Sequence, residues 1–216
     1  MLSPLVDFPA TGDTRTVSTT TATKGRSGLA ALIGVFVLVG IMWLLEAFDA
    51  VIPGDLDGYG IESREPDGLI GIVAAPFLHA DFAHLMANTV PFLVLGSIVA
   101  LRYPSRFWAI ALTIIGIGGL GVWLLGPSNT VMVGASGVVF GFLTFLLTAG
   151  VLTRHWLDVA IALGVLFLYG GILIGALPFG VEAGVSWLGH LMGAAAGILA
   201  AFLFARKADR VVHVPQ

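Results

Sequence analysis

The chain has 216 residues, of which 57% are hydrophobic and 11% charged, and its mean hydropathy is +0.99. Soluble domains carry about 25% charged residues, so this composition excludes a water-soluble globular protein and predicts an integral membrane protein. The absence of cysteine excludes disulfides and thiolate chemistry, and the lack of a polybasic block predicts no nucleic-acid partner.

Six apolar segments are long enough to cross a bilayer, which takes about 20 residues. They predict a membrane domain over residues 28–205, with spans at 28–48, 82–101, 107–125, 137–152, 156–177 and 187–205. The polar, threonine-rich residues 1–27 predict a disordered tail rather than a signal peptide, and residues 206–216 form a second polar tail. Ile70–Leu78 is apolar but too short to cross, so we expect it to dip into the interface as part of a long loop. The fold class predicted is an all-α bundle of six transmembrane helices.

The basic residues predict the orientation of the bundle. Those that fall on one side of the membrane are Arg15, Lys24, Arg26, Arg102, Arg106, Arg154, Arg206, Lys207 and Arg210. Only Arg64 falls on the other side. The positive-inside rule therefore predicts that both termini are cytoplasmic and that the fourth span begins toward the extracytoplasmic face.

Few polar side chains lie within the spans, and an ionisable one at membrane depth is by default a functional candidate. Glu46 and Asp158 lie near span ends, where we expect water to be close. His84 and Asn88 are four residues apart in the second span, so they share one face of a helix. They could form a catalytic pair or an interhelical hydrogen-bond pair, and their spacing alone does not decide between the two.

Ser136 lies between glycines where a loop enters the fourth span. A helix-capping serine is the plain alternative to a functional one. Gly134 permits a tight turn before the serine and a close approach of a substrate backbone. Gly137 and Gly141 form a small-residue face, which requires a partner helix at close range.

The sixth span supplies a matching face. Gly189, Gly193 and Gly197 recur every four residues, and His190 lies beside this stripe. If the two glycine faces pack together, His190 comes within reach of Ser136, as a hydroxyl nucleophile requires of its base. The alternative is a packing histidine that is bonded to a neighbouring carbonyl group.

No carboxylate lies within a span at the depth of Ser136, so the sequence favours a Ser-His dyad over a triad. Phe140, one helical turn after the serine, is a candidate for orienting the imidazole ring. The Ser136 backbone N–H, His84 and Asn88 are candidate donors for an oxyanion hole. We interpret His79 as a loop residue that bonds backbone groups, and we discount a zinc site at His79 and His84 because no acid in the bundle completes a ligand set.

Three motifs together resemble the rhomboid intramembrane serine proteases. Gly134-Ala135-Ser136-Gly137 resembles the nucleophile motif of that family. His79-Ala-Asp-Phe-Ala-His84-Leu-Met-Ala-Asn88 resembles its histidine and asparagine motif, and Gly189-His190-Leu-Met-Gly193 resembles its general-base motif. The resemblance covers about residues 28–205, in the expected order of motifs and spans.

The resemblance implies that Ser136 is the nucleophile and His190 the general base, with His84, Asn88 and the Ser136 N–H as the oxyanion hole. It implies a multi-pass protein of the cell (plasma or inner) membrane that cleaves single-span or other membrane-anchored proteins in or near their transmembrane segments. It also implies that neither a metal nor a cofactor is used. Two departures are Phe140, where members often have tyrosine, and the lack of a Trp-Arg pair in the first loop.

Two other classes of function compete with a protease. A catalytically silent relative that binds transmembrane segments remains an alternative, although both Ser136 and His190 are present. A small transporter or channel predicts charges at mid-membrane or repeated halves, and the sequence shows neither. The oligomeric state is left open by the sequence.

Overall fold

The computed structural model describes residues 15–52, 55–180 and 185–206, with side chains described from residue 27 onward. Six helices in these ranges are long and apolar enough to cross a membrane. They are α1 (Arg15–Asp49), α3 (Phe82–Arg102), α4 (Phe107–Leu125), α5 (Ser136–Thr153), α6 (Trp156–Tyr169) and α7 (Trp187–Phe204). The 3-10 segment Gly170–Ala176 continues α6, and the short helix α2 (Gly71–Ala74) lies in the first loop. The predicted all-α fold with six spans is confirmed.

The start of α1 differs from the sequence prediction. We expected a disordered tail up to residue 27, but the helix begins at Arg15. Adding turns to an existing helix costs far less than nucleating one, and residues 15–27 contain no proline, so the apolar span can continue backwards as helix. Residues 1–14 and 207–216 of the two predicted tails lie outside the described residues.

α5 occupies the centre of the bundle, with neighbours on several sides. Its side chains at Phe142, Leu143 and Phe145 are completely buried. The outward faces of the peripheral helices carry apolar side chains instead, such as Phe167 of α6, which is 88% exposed. Lipid tails are as apolar as leucine, so such exposure is the expected state of a helix that faces a bilayer.

α5 and α7 pack at the glycine faces that the sequence predicted. The backbone of Gly193 lies against the carbonyl of Gly137, and Gly197 lies against that of Gly141, in both cases with no room for a Cβ atom. Thr144 of α5 adds a hydrogen bond across this contact, because its hydroxyl donates to the carbonyl of Ala194 at 2.8 Å. The two helices are therefore held at backbone contact.

Two loops meet beside the start of α5. Strand β1 (Ile61–Glu62), from the loop between α1 and α3, pairs antiparallel with β2 (Val131–Met132), from the loop between α4 and α5. Ile61 lies opposite Met132 in this ribbon. The ribbon therefore ties the long first loop to the segment that leads into Ser136.

Arg64 fastens the same first loop to the end of α4. Its guanidinium donates to the carbonyl of Gly126 at 2.7 Å and to that of Leu124 at 3.3 Å. The indole N–H of Trp123 in turn donates to the carbonyl of Glu65 at 2.8 Å. The sequence offered no Trp-Arg pair within the first loop, and here the arginine of the loop and a tryptophan of α4 make these anchoring bonds.

The position of Asp158 also differs from the sequence prediction. We expected water close to this residue, but its side chain is 4% exposed and forms an ion pair with Arg102, with Nε 2.6 Å from Oδ1. The hydroxyl of Thr153 donates to the other carboxylate oxygen at 2.8 Å. A buried charge needs a partner, and this network supplies it while joining α3, α5 and α6 at one end of the bundle.

Candidate active site

Ser136 is the first residue of α5, and its side chain does not cap that helix. The capping position belongs to Ala135, which makes no side-chain capping bond. The Ser136 Oγ instead lies 2.9 Å from Nε2 of His190. The plain alternative of a helix-capping serine therefore does not describe this residue.

The imidazole of His190 is held in one orientation. Its Nδ1 lies 2.8 Å from the carbonyl oxygen of Gly175, in the 3-10 segment that follows α6. A carbonyl can only accept a hydrogen bond, so Nδ1 carries the proton of the neutral ring and Nε2 is left as an acceptor. The Ser136 hydroxyl then donates to Nε2, which is the arrangement a general base requires.

Phe140 stacks on the His190 ring. The ring centroids are 4.2 Å apart and the planes differ by 7°. The sequence predicted this contact from the position of Phe140 one turn after Ser136. It did not predict Gly175, because a backbone carbonyl has no signature in the sequence. A Cβ at Gly175 would lie 3.3 Å from both Nδ1 of His190 and the ring of Phe140, so the absence of a side chain allows the close fit.

His84 lies close to the turn that precedes Ser136. α3 begins just before it, capped by Asp81, whose carboxylate accepts from the His84 N–H at 2.7 Å. Gly134 has φ +114°, and a Cβ there would lie 2.7 Å from the His84 ring. Glycine is needed at Gly134 on both grounds, because it tolerates positive φ and leaves space for the imidazole.

Asn88 does not line the cavity at Ser136, although the sequence suggested it as an oxyanion donor there. It lies on the same helix as His84, is 5% exposed, and its amide donates to the His84 carbonyl at 3.0 Å. The cavity that contains Ser136 is lined by His84 and Ala87 rather than by Asn88. The structure thus places His84 in the wall of the cavity that also contains Ser136, whereas Asn88 is buried and does not line that cavity.

His79 bonds a backbone group, as interpreted from the sequence. Its side chain is 2% exposed, and its Nε2 accepts a hydrogen bond from the Ala135 N–H at 3.3 Å. Burial and the neighbouring His84 lower the pKa of His79 to about 4, so its ring is neutral at physiological pH. Within the described ranges, no three His, Cys, Asp or Glu side chains are grouped so that they could hold a metal ion.

A cavity of about 710 Å³ opens onto Ser136. Apolar side chains such as Ile72 and Ile114 line part of its wall, and carboxylates line another part, namely those of Asp55, Asp57 and Asp81. Burial, together with the charges of nearby Asp55 and Asp49, raises the pKa of Asp57. The cavity is large enough for several residues of an extended peptide beside the serine.

Comparison with known proteins assigns the family. The Rhomboid domain matches residues 66–207, a range that contains every candidate residue of the site. The chain belongs to the rhomboid family. It is therefore a multi-pass membrane protein of that family, and the predicted resemblance is confirmed at this level.

Relatives of this rhomboid chain occur in several organisms. An uncharacterized protein of Mycobacterium tuberculosis is 46% identical over 200 residues, which cover 89% of this chain and 82% of that protein. An uncharacterized protein of Mycobacterium leprae is 43% identical over 178 residues, covering 79% and 70%. A Bacillus subtilis protein named as a candidate rhomboid protease is 27% identical over 188 residues, covering 82% and 89%.

Proposed function

We propose that this rhomboid protein is an intramembrane serine endopeptidase that hydrolyses peptide bonds in or near the transmembrane segments of membrane-anchored proteins. The observation that carries the proposal is the 2.9 Å contact between Ser136 Oγ and His190 Nε2. A second contact supports the proposal: Nδ1 of His190 bonds the Gly175 carbonyl oxygen, which fixes the tautomer of the ring. A serine and a histidine that merely packed together would need neither the bond from Ser136 Oγ to Nε2 nor the bond from Nδ1 to Gly175.

In the acylation step, Oγ of Ser136 attacks the carbonyl carbon of the scissile peptide while Nε2 of His190 takes the hydroxyl proton. The imidazolium that forms keeps its Nδ1–H bond to Gly175 and its stacking on Phe140. When the tetrahedral intermediate collapses, Nε2–H gives its proton to the leaving amine, the C–N bond breaks and an ester on Ser136 remains. The Gly175 carbonyl and the Phe140 ring do the orienting that a carboxylate does in a triad.

The negative charge on the substrate oxygen requires donors in the same place. The Ser136 N–H lies in the first turn of α5, where backbone N–H groups have no partner within the helix and the helix dipole favours an anion. His84 lines the same cavity and is the second donor. Asn88 can serve as a third donor if its amide turns from the His84 carbonyl toward the substrate.

In deacylation, water attacks the ester carbonyl carbon while Nε2 of His190 takes a water proton. That proton then passes to Oγ as the ester bond breaks, which releases the new carboxyl terminus and restores Ser136. Water and peptide reach the serine through the cavity, which the two loops joined by β1 and β2 overlie. The chemistry needs no metal and no cofactor.

The substrates proposed are single-span or other membrane-anchored proteins in the same bilayer, and the location proposed is the cell membrane. The distribution of basic residues favours an orientation in which Ser136 lies toward the extracytoplasmic face. Cleavage would then occur near the outer end of the substrate helix.

The test is cleavage of single-span substrates by the purified protein in proteoliposomes. The wild type should cleave, Ser136→Ala and His190→Asn should not, and EDTA should leave the rate unchanged. Thr113→Ala is the matched control, since it removes a hydroxyl that donates to the Ala109 carbonyl of its own helix at 2.7 Å. Cleavage that survives Ser136→Ala would contradict the dyad. A wild type that binds substrates of this kind and cleaves none would support the catalytically silent alternative.

A further inference from the structure

We infer that His79 is a positioning residue that holds the turn before Ser136 and the ring of His84 in one fixed relation. The inference rests on the proposed function, because it concerns how the nucleophile and an oxyanion donor are aligned. It adds a residue that acts through its neighbours and touches no substrate.

The first contact is with the turn itself. Ala135, the residue directly before the nucleophile, is fully buried and donates its N–H to Nε2 of His79 at 3.3 Å. The preceding N–H, that of Gly134, donates to the carbonyl of Ala75 at 2.8 Å. Two successive peptide groups before Ser136 are thus bonded to the segment that leads into α3, so the serine cannot shift without breaking them.

The second contact is with His84. The rings of His79 and His84 meet edge to face, with centroids 5.2 Å apart and planes at 68°. The His84 ring also fills the space left by the missing side chain of Gly134. His79, His84 and the turn therefore form one packed unit, in which a displaced His79 ring moves both the serine and the donor.

The protonation state of His79 fits this role. Nε2 can accept the Ala135 N–H only while it carries no proton. Burial and the neighbouring His84 lower the pKa of His79 to about 4, against a partial opposing effect of the Phe77 carbonyl. The ring is therefore neutral near pH 7, and its one acceptor nitrogen is used on the turn. A buried ring that was present only to fill space would not need this acceptor.

Three substitutions of His79 distinguish the effect of its acceptor nitrogen from the effect of its ring. His79→Gln places an amide oxygen at about the reach of Nε2, whereas His79→Asn places it near Nδ1 and leaves the Ala135 N–H unpaired. His79→Phe keeps a ring against His84 and removes the acceptor. We expect His79→Phe and His79→Asn to lower kcat by roughly 10- to 100-fold with KM unchanged, because small misplacements of reacting groups slow a reaction by factors of this size. Gln should retain most of the wild-type kcat.

The same variants are also compared by the rate at which a fluorophosphonate probe labels Ser136 and by thermal unfolding in detergent. His155→Gln, on the exposed turn before α6, is the matched control and should keep wild-type rates. A wild-type kcat in both Phe and Asn variants would overturn the inference, as would a loss in Gln equal to that in Phe. Loss of the fold in all three variants would also overturn it, because His79 would then determine folding rather than alignment. A wild type that is labelled but cleaves nothing contradicts the proposed function alone, and the labelling rates still decide the role of His79.

Discussion

Gly193 of α7 lies directly against the carbonyl group of Gly137 on α5, with no space between them for a Cβ atom. His190 stands one turn before Gly193 on the same helix, and Ser136 is the neighbour of Gly137. The backbone contact between these glycines therefore sets the distance at which the base meets the nucleophile. Gly197 repeats the contact against Gly141 one turn further along.

Gly193→Ala should push the two helices apart. Overpacking of a tight contact costs about 1–3 kcal/mol, so we expect a lower unfolding temperature in detergent and a strong loss of Ser136 labelling. Gly116→Ala on α4 is the control, because a Cβ at Gly116 would have no atom within 4 Å. Wild-type stability and labelling in Gly193→Ala would show that the glycine contact does not set the geometry of the site.

Phe140→Leu should reduce activity without unfolding the protein. It keeps the buried apolar volume but removes the flat surface on which His190 stacks at 4.2 Å. Aromatic stacking contributes about 0.5–1.5 kcal/mol, so kcat should fall roughly 2- to 12-fold. Phe140→Tyr keeps the ring and should stay closer to the wild type. Equal kinetics in Leu and wild-type enzymes would mean that Gly175 alone orients the imidazole.

Asp158→Asn should destabilise the bundle at the end opposite the active site. It replaces the buried carboxylate that pairs with Arg102 by a neutral amide, and breaking a buried ion pair costs roughly 3 kcal/mol. We expect a lower unfolding temperature but unchanged kcat for the folded fraction. The matched control is the double variant Arg102→Leu with Asp158→Leu, which removes both charges and should recover part of the stability. A single variant as stable as the wild type would indicate that the ion pair contributes nothing.

The predicted orientation can be tested with single cysteines, since the chain has none of its own. The two variants are Val131→Cys and Ser105→Cys. Val131 lies in β2, at the same end of the bundle as Ser136, and Ser105 lies in the turn between α3 and α4. A membrane-impermeant maleimide added to intact cells should label position 131 at once and position 105 only after lysis. The reverse pattern would invert the topology and place the site at the cytoplasmic face.

Much of the site was predictable because it depends on side chains with a regular spacing. The glycines of α5 and α7 recur every four residues, so their faces can be matched from the amino-acid sequence alone. That match brought His190 to Ser136, and the position of Phe140 followed from one helical turn. Local patterns of this kind set the spans and the central contact of the fold.

What the sequence did not predict depends on the backbone or on distant partners. Gly175 acts through its carbonyl group, which every residue type possesses. Asp158 and Arg102 are separated by 56 positions, so neither residue indicates the other in the sequence. The start of α1 at Arg15 depends on propagation of helix backwards from the apolar span that follows. The polar composition of residues 15–27 gave no sign of a helix.

The most direct test of the central claim is covalent labelling of the purified protein by a fluorophosphonate, with the modified residue identified by mass spectrometry. The dyad predicts labelling at Ser136 in the wild type, and loss of labelling in His190→Asn even though the serine is still present and the protein still folded. Equal labelling of Ser136 in wild type and His190→Asn, or labelling at another serine, would contradict the assignment of His190 as the base that activates Ser136.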